Sequence, residues 1–390
     1  MLRAGHGLIL IVITLLTIGV VMVTSAGLMV GTDKGVLLQD VLLGRTTQLA
    51  FAAFVFMLIG VCVPVEKIFC RPLGVRSPIP WLLLAIIGLL LVVHVPGIGR
   101  EMNGARRWIH LGFIGFQPSE VAKWGMVIAL AWYASRRAAV MSDFISGFAL
   151  PIVCVLAICA LIASEDLGTA VLIGMVSVCM LIAAGSKWWH AAMWAPIGAL
   201  GIVVAVLTSE YRLNRVKAFV DPYQDPQGIG YHMLQSMGAI SGGGLAGRGL
   251  GNSIQKFGYL PEDTTDFIFA IICEEMGVVG AAIVICLYAC LLICGFSIVK
   301  RVDHPFKRLL GMGVLLTVGL QALINIAVVT GSIPTKGIAL PLLSSGGTGW
   351  VLTAFCIGLL VSMDRERAKA EAAESSESEA INADLVLDHG

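Results

Sequence analysis

The sequence is short of charge. Only 13% of its 390 residues are Asp, Glu, Lys or Arg, about half the share of roughly 25% found in soluble globular domains. The deficit runs along most of the chain, which excludes both a soluble core fold and a soluble domain hung on one apolar anchor. An excess of one sign is missing too. The net charge is +1, so nothing marks nucleic acid as a partner. Cysteine is present without a pattern. The chain has ten, and most, such as Cys154, Cys159, Cys179, Cys286, Cys290 and Cys294, lie inside apolar runs. They read as small hydrophobes rather than bridges or metal ligands. A small-residue cleavage site after the first apolar run is also lacking, so that run reads as a retained helix.

What the chain has is apolar length. Hydrophobic residues make up 57% of it, and a membrane-crossing helix needs roughly 20 mostly apolar residues in succession. Such runs occur at 8–30, 46–63, 79–95, 118–134, 144–163, 168–184, 191–208, 266–296, 309–330 and 346–363. The predicted fold class is therefore an all-α polytopic integral membrane protein of about ten transmembrane helices. Residues 1–363 form the transmembrane domain, with a large extracytoplasmic loop at about 209–265. Residues 364–390 hold eight acids against three Lys or Arg and read as a disordered acidic tail. Lys67, Arg71, Arg76, Arg136, Arg137, Lys187, Lys300, Arg301, Lys307 and Arg308 all fall on one side of a ten-span chain. Arg3, Arg365 and Arg367 join them, which predicts both termini in the cytoplasm.

Two basic stretches break that bias. GREMNGARRW (99–108), with Arg106 and Arg107, and YRLNRVKAF (211–219), with Arg212, Arg215 and Lys217, belong outside. Loop solubility and capping would explain them. So would an anionic extracellular substrate or a lipid phosphate. The run SGGGLAGRGLGNS (241–253) looks like an anion nest, but no strand–helix context makes it a nucleotide loop.

Acids inside the apolar pattern are the second signal. Asp266 lies at the start of span eight, after PEDTT. It either favours the positive end of that helix or stands over a shallow cavity, where partial burial raises proton affinity toward general-base work. Glu262 and Asp263 are weaker candidates. Glu120 and Lys123 in QPSEVAKWG are three apart on one helix face, and an ionisable pair there is expected to line an internal cavity. Glu274 and Glu275, two turns into span eight, need partners: Lys123, a helix end or a cavity. Glu165 and Asp166 suit helix capping. Asn325 in span nine also needs a partner. Residues 331–350, GSIPTKGIALPLLSSGGTGW, read as a broken helix or lid, with Lys336 near the outer headgroups. To this point a polytopic enzyme and a transporter both remain open.

The ordered set NGARRWI (103–109), QPSEVAK (117–123), DLGTA (166–170), YRLNR (211–215), QK (255–256), YLPEDTTDFIFAIICEEMG (259–277) and PTKGIALPLLSSGG (334–347) resembles the SEDS family of bacterial cell-wall polymerases, which includes FtsW, RodA and SpoVE. The resemblance covers about residues 8–363. It implies a SEDS-like fold in the bacterial inner membrane and polymerisation of lipid II into β-1,4-linked glycan, with release of undecaprenyl diphosphate. It makes Asp266 the essential acid, and Glu120 and Lys123 the supports of a central cavity. Asn252, Ser253, Gln255, Lys256, Tyr259 and the segment from Pro334 to Gly337 follow the division-type pattern, which implies a place at the septum. Thr264, Glu165 and the run Ser345-Gly346-Gly347 depart from the family's usual residues.

The implied reaction inverts at the sugar, so one base suffices. Arg106, Arg107, Arg212, Arg215 and Lys217 are the outside cations for the departing diphosphate, and Lys336 lies in the same region. No cofactor is implied with certainty; a divalent cation, Mg2+ or Mn2+, is left open. The implied partners are lipid II, undecaprenyl-linked glycan, a class B penicillin-binding transpeptidase and other divisome proteins. The rival readings are an elongation-type RodA-like polymerase, a lipid II flippase and a division scaffold.

Overall fold

The computed structural model describes residues 3–27, 43–65, 78–95, 99–102, 105–111, 114–255, 264–345 and 347–388. Ten helices fall on the ten predicted runs. They are α1 (Ala4–Ala26), α2 (Arg45–Cys62), α3 (Pro78–Val92), α4 (Pro118–Arg136), α5 (Leu150–Ala163), α6 (Leu167–Ala183), α7 (Trp188–Leu207), α10 (Ile268–Lys300), α11 (Pro305–Val329) and α12 (Thr348–Asp388). Between α7 and α10 lie two shorter helices, α8 (Glu210–Val220) and α9 (Tyr231–Gly243). Among the described residues six helical stretches are long and apolar enough to cross a membrane by themselves. α3 and α6 are shorter but apolar, α4 carries Glu120 and Lys123 in its first turns, and α12 runs on into charged sequence.

Local chemistry sets several boundaries. Pro118 and Pro305 sit in the first turns of α4 and α11, where a missing N–H costs nothing. Asp166 caps α6, its Oδ1 accepting from the Thr169 N–H at 3.0 Å. Arg136 lies over Trp132, Arg137 over Tyr133 and Lys187 over Trp189, which are cation–aromatic pairs suited to a membrane–water boundary.

α11 is the hub, packing against α4, α6 and α10, while α2 lies along α12 and α1 along α10 and α12. At one end of the bundle Lys307 pairs with Glu366 at 2.7 Å, and Arg367 donates to the Arg301 carbonyl.

The structure differs from the sequence expectation in four places. First, residues 99–116 form a three-stranded antiparallel sheet, β1 (Gly99–Met102), β2 (Ala105–Leu111) and β3 (Ile114–Phe116), where only loop was expected in an all-α chain. The sequence between β1 and β2 is Asn-Gly, the residue pair that suits a tight hairpin. Second, the segment expected as a large loop at about 209–265 contains α8 and α9.

Third, α10 is not one straight rod. Gly277 has φ 66° and ψ −160°, which breaks the helix. A Cβ on Gly280 would lie 3.4 Å from Ile272 Cγ2, eight residues earlier. Eight residues of straight helix would separate them by about 12 Å. The chain therefore turns back at Gly277, leaving a short helix at 268–276 beside the long one at 278–300. Asp266 lies in the turn before the short helix, and Glu274 near its C-terminal end.

Fourth, α12 continues as helix to Asp388, where a disordered tail was expected from 364. The tail is rich in Ala and Glu, which are strong helix formers, and Arg367 bonds Glu371 one turn on at 2.7 Å.

Candidate active site

Where α4, α6, α11 and α12 meet, they leave a cavity of about 180 Å³. Three non-spanning pieces close it: the sheet, the turn at 264–267 that leads into α10, and the segment 331–345. That last segment has no regular structure, so its buried backbone must find partners. It does. Arg215 Nη1 donates to the Thr335 carbonyl at 3.0 Å and Asn325 Nδ2 to that of Ile338 at 2.7 Å. Gln321 Nε2 donates to the carbonyl of Ala339 at 2.8 Å, and the Tyr288 hydroxyl to that of Pro341. Ser345 N–H reaches back to the Thr264 carbonyl at 2.9 Å, which ties this segment to the Asp266 turn. Leu342 lines the cavity with φ 64°, a conformation that costs a non-glycine residue about 1–3 kcal/mol and persists where surroundings impose it.

Asp266 is half-buried on the cavity wall. Its backbone carbonyl accepts from Asn325 Nδ2 at 2.8 Å. Its carboxylate faces Gly337: a Cβ there would stand 2.8 Å from Asp266 Oδ2 and 3.9 Å from Arg107 Nη1. Glycine at 337 thus keeps open the space that the carboxylate and the guanidinium both border. Arg107 lines the same cavity, and its Nε is buried with no hydrogen-bond partner among the described residues. Trp350 Nε1, another lining group, is likewise unpaired there.

Glu120 and Lys123 form the expected pair. Lys123 Nζ lies 2.8 Å from both Glu120 oxygens and 2.9 Å from Gln321 Oε1. Glu120 lines the cavity while Lys123, 2% exposed, sits behind it. An unpaired lysine at that depth would be costly; here it is bonded on two sides and ties α4 to α11.

The remaining cations separate by what they touch. Arg212 spends its guanidinium on backbone carbonyls at two helix ends: Nη1 on Ala205, Nη2 on Ala163 and Ser164 at 2.6 and 2.7 Å. Such carbonyls have no partner within their own helices. Arg215 bonds Thr335 and the Tyr211 hydroxyl, with its guanidinium 4.5 Å from the Tyr211 ring. Both arginines therefore brace α8 against the bundle. Arg106 is exposed beside a smaller recess, its backbone N–H bonded to Glu165 at 2.6 Å. Lys217 is exposed on α8. Lys336 follows Thr335. Burial pulls its pKa below the ordinary lysine value, against the opposing pull of Asp166 and together with Arg212 and Arg215.

Glu274 and Glu275 do not reach Lys123. Glu274 is bonded by Ser253, Ile254 and Gln255, and Glu275 by Ser25 at 2.9 Å. Glu262, Asp263, Lys256 and Tyr259 lie outside the described residues. Gln117, Asp166, Gln321 and Trp350 line the cavity or hold its walls without having been singled out for that role. Polar amides near or inside apolar runs were the available signal for Gln117 and Gln321. Among the described residues no three His, Cys, Asp or Glu side chains converge as a metal-binding group.

The family model FTSW_RODA_SPOVE, described as cell cycle protein, matches residues 6–369. A probable peptidoglycan glycosyltransferase FtsW from Alkalilimnicola ehrlichii is 42% identical over 297 residues, 74% of this chain and 73% of that protein. Stage V sporulation protein E of Bacillus subtilis is 36% identical over 370 residues, 94% of this chain and 98% of that one. Among solved structures, a chain from work on the structural coordination of polymerization and crosslinking by a peptidoglycan synthase complex matches with TM-score 0.73. It is 28% identical, with 93% of this chain and 97% of that one covered. Thermus thermophilus rod shape determining protein RodA matches with TM-score 0.64 at 25% identity, covering 93% and 96%. With a family model spanning nearly the whole chain and the fold shared end to end, this chain belongs to the FtsW/RodA/SpoVE (SEDS) family of multi-pass membrane proteins.

Proposed function

We propose that this chain is a peptidoglycan glycosyltransferase that polymerises lipid II, with Asp266 as its general base. The observation that carries the reading is the half-buried Asp266 carboxylate on the wall of a cavity that Arg107, Glu120 and Gln321 also line, in a chain whose named relatives include probable peptidoglycan glycosyltransferases.

The step balances with one base. The 4-hydroxyl of GlcNAc on an incoming lipid II attacks the anomeric carbon of the terminal MurNAc on the growing strand. Asp266 takes the hydroxyl proton as the new C–O bond forms. The bond from that carbon to the diphosphate breaks, and undecaprenyl diphosphate leaves with the electron pair. An α-linked donor gives a β-1,4 product, so no glycosyl-enzyme is formed, in contrast to retaining glycosidases with two carboxylates. Arg107, whose guanidinium borders the same open space, is placed to meet developing charge on the leaving diphosphate. Arg106, Lys217 and Lys336 are outer cations suited to drawing in the anionic headgroup. Glu120 and Lys123 shape the cavity floor.

The division-type pattern at 252–259 and 334–337, and the frequency of FtsW among the named relatives, support a septal role with both termini cytoplasmic. A class B penicillin-binding transpeptidase is the partner that supplies crosslinking. The match to a chain studied for coordination of polymerization and crosslinking supports this pairing.

The test uses purified protein, its cognate transpeptidase and labelled lipid II in detergent, where no second leaflet exists. Glycan strands are the expected product. Redistribution of lipid II between leaflets of vesicles, with no polymer in detergent while a known polymerase succeeds, would overturn the reading in favour of transport.

A further inference from the structure

Glu274 shares with Glu275 the deepest burial of any carboxylate among the described residues, and the proposed chemistry does not use it. It is 1% exposed and does not line the cavity. Its oxygens accept from the Ser253 hydroxyl and from the N–H groups of Ile254 at 3.0 Å and Gln255 at 3.4 Å. Arg248 Nη1 stands 3.6 Å away. One acid thus gathers three consecutive residues of the outer loop and one cation.

The glycine-rich run supplies the rest of the joint. Arg248 N–H donates to the Glu274 carbonyl at 3.0 Å and Gly249 N–H to that of Glu275 at 2.9 Å, while Val278 N–H returns to the Gly244 carbonyl at 3.0 Å. The short helix 268–276 leaves carbonyls without partners at its C-terminal end, and this loop provides the donors. A side chain at Gly247 or Gly277 would collide with backbone atoms across the joint. The run 241–253 is therefore a backbone cap for a short helix, which explains glycines that the reaction does not.

The other end of that helix begins just after Asp266. Ile268 to Cys273 are buried, but apolar packing is non-directional and leaves sliding and rotation about the axis weakly opposed. Directional bonds fix those motions. Asn325 supplies one at the Asp266 carbonyl, and at the far end the Glu274 carboxylate adds its bonds to Ser253, Ile254 and Gln255 to the backbone bonds of the loop. The geometry points to Glu274 as a positioning residue: by latching the outer loop at 248–255 to the end of the short helix, it sets where Asp266 stands in the cavity. The inference rests on Asp266 being the base.

The test compares wild type with Glu274→Ala, Glu274→Gln and Ser253→Ala in full-length protein bound to its transpeptidase. Two readouts are taken on the folded fraction. One is the split of kcat and KM for lipid II. The other is the rate at which a water-soluble maleimide labels Thr265→Cys, in a background free of native cysteines. A shift near 1 Å at a reacting group costs about 100-fold in rate. Glu274→Ala is accordingly expected to lower kcat by at least about 10-fold with KM little changed, and to alter labelling severalfold. Glu274→Gln, which keeps one acceptor, should fall between it and wild type. Ser253→Ala should show a smaller effect of the same sign and carries the test if Glu274→Ala does not fold. Folded variants with wild-type kcat, whether labelling changes or not, would overturn the proposal. If Asp266→Asn itself keeps wild-type turnover, the base reading falls, and labelling alone then decides whether Glu274 places this turn.

Discussion

α7 and α11 are comparably apolar spans, yet 6% of the α7 span is buried inside the protein against 56% of the α11 span. On α7 only His190 is buried, and Ile197, Leu200 and Leu207 face outward. On α11, Thr317, Gln321 and Asn325 are buried. Thr317 bonds within its helix, whereas Gln321 and Asn325 reach out to the non-helical segment and the Asp266 turn. Apolar length tells which helices cross the bilayer. Polar side chains that must find partners tell which of them organise the centre.

Apart from the loss of Asp266 itself, the largest effect should come from Asn325→Leu. The half-buried carbonyl of Asp266 and the buried one of Ile338 would lose their donor, and an unmade buried bond costs about 1–3 kcal/mol. Glycan synthesis is expected to fall by about 100-fold through misplacement of Asp266, with a lower melting temperature. A wild-type rate would break the claim that α11 organises the site. Gly337→Ala should come next. The added methyl meets Asp266 Oδ2 at 2.8 Å, so the expected result is a loss on the order of 10-fold in turnover at unchanged membrane level.

Arg215→Lys sharpens the comparison by keeping charge while losing geometry. Lysine cannot present the planar fork that reaches Thr335 and Tyr211 together. Polymerisation should drop severalfold, and Arg215→Ala should drop it no more than slightly further. Full activity in the lysine variant with none in the alanine variant would return Arg215 to a charge role. Leu200→Ala on α7 should be the smallest change, within about 0.5 kcal/mol in detergent unfolding; a large destabilisation would mean that α7 packs more closely than its exposure indicates.

The spans were legible because burying a backbone in lipid demands long apolar runs, and residues such as Pro118 and Asp166 marked where helices start. The Glu120–Lys123 pair and the need of Asn325 for a partner were legible because a bilayer leaves such groups few alternatives. The break at Gly277 was hidden, since EEMGVVG reads as continuous helix and only the loop packed against it makes the turn visible. The split between Arg212 and Arg215 as braces and Arg107 as a cavity residue was equally hidden. All three belong to the two basic stretches that break the charge bias, and long-range contact rather than composition separates them. The helical tail was missed because low apolarity argued against packing while Ala and Glu favoured helix.

The central claim is that the Asp266 carboxylate accepts the proton in glycan polymerisation. The most direct measurement is strand synthesis from labelled lipid II by the transpeptidase-bound protein, wild type against Asp266→Asn, which keeps size and the backbone bond to Asn325 but removes the base. The account predicts strands from wild type and none from Asp266→Asn at equal folding and partner binding. Strands at the wild-type rate from both would contradict it.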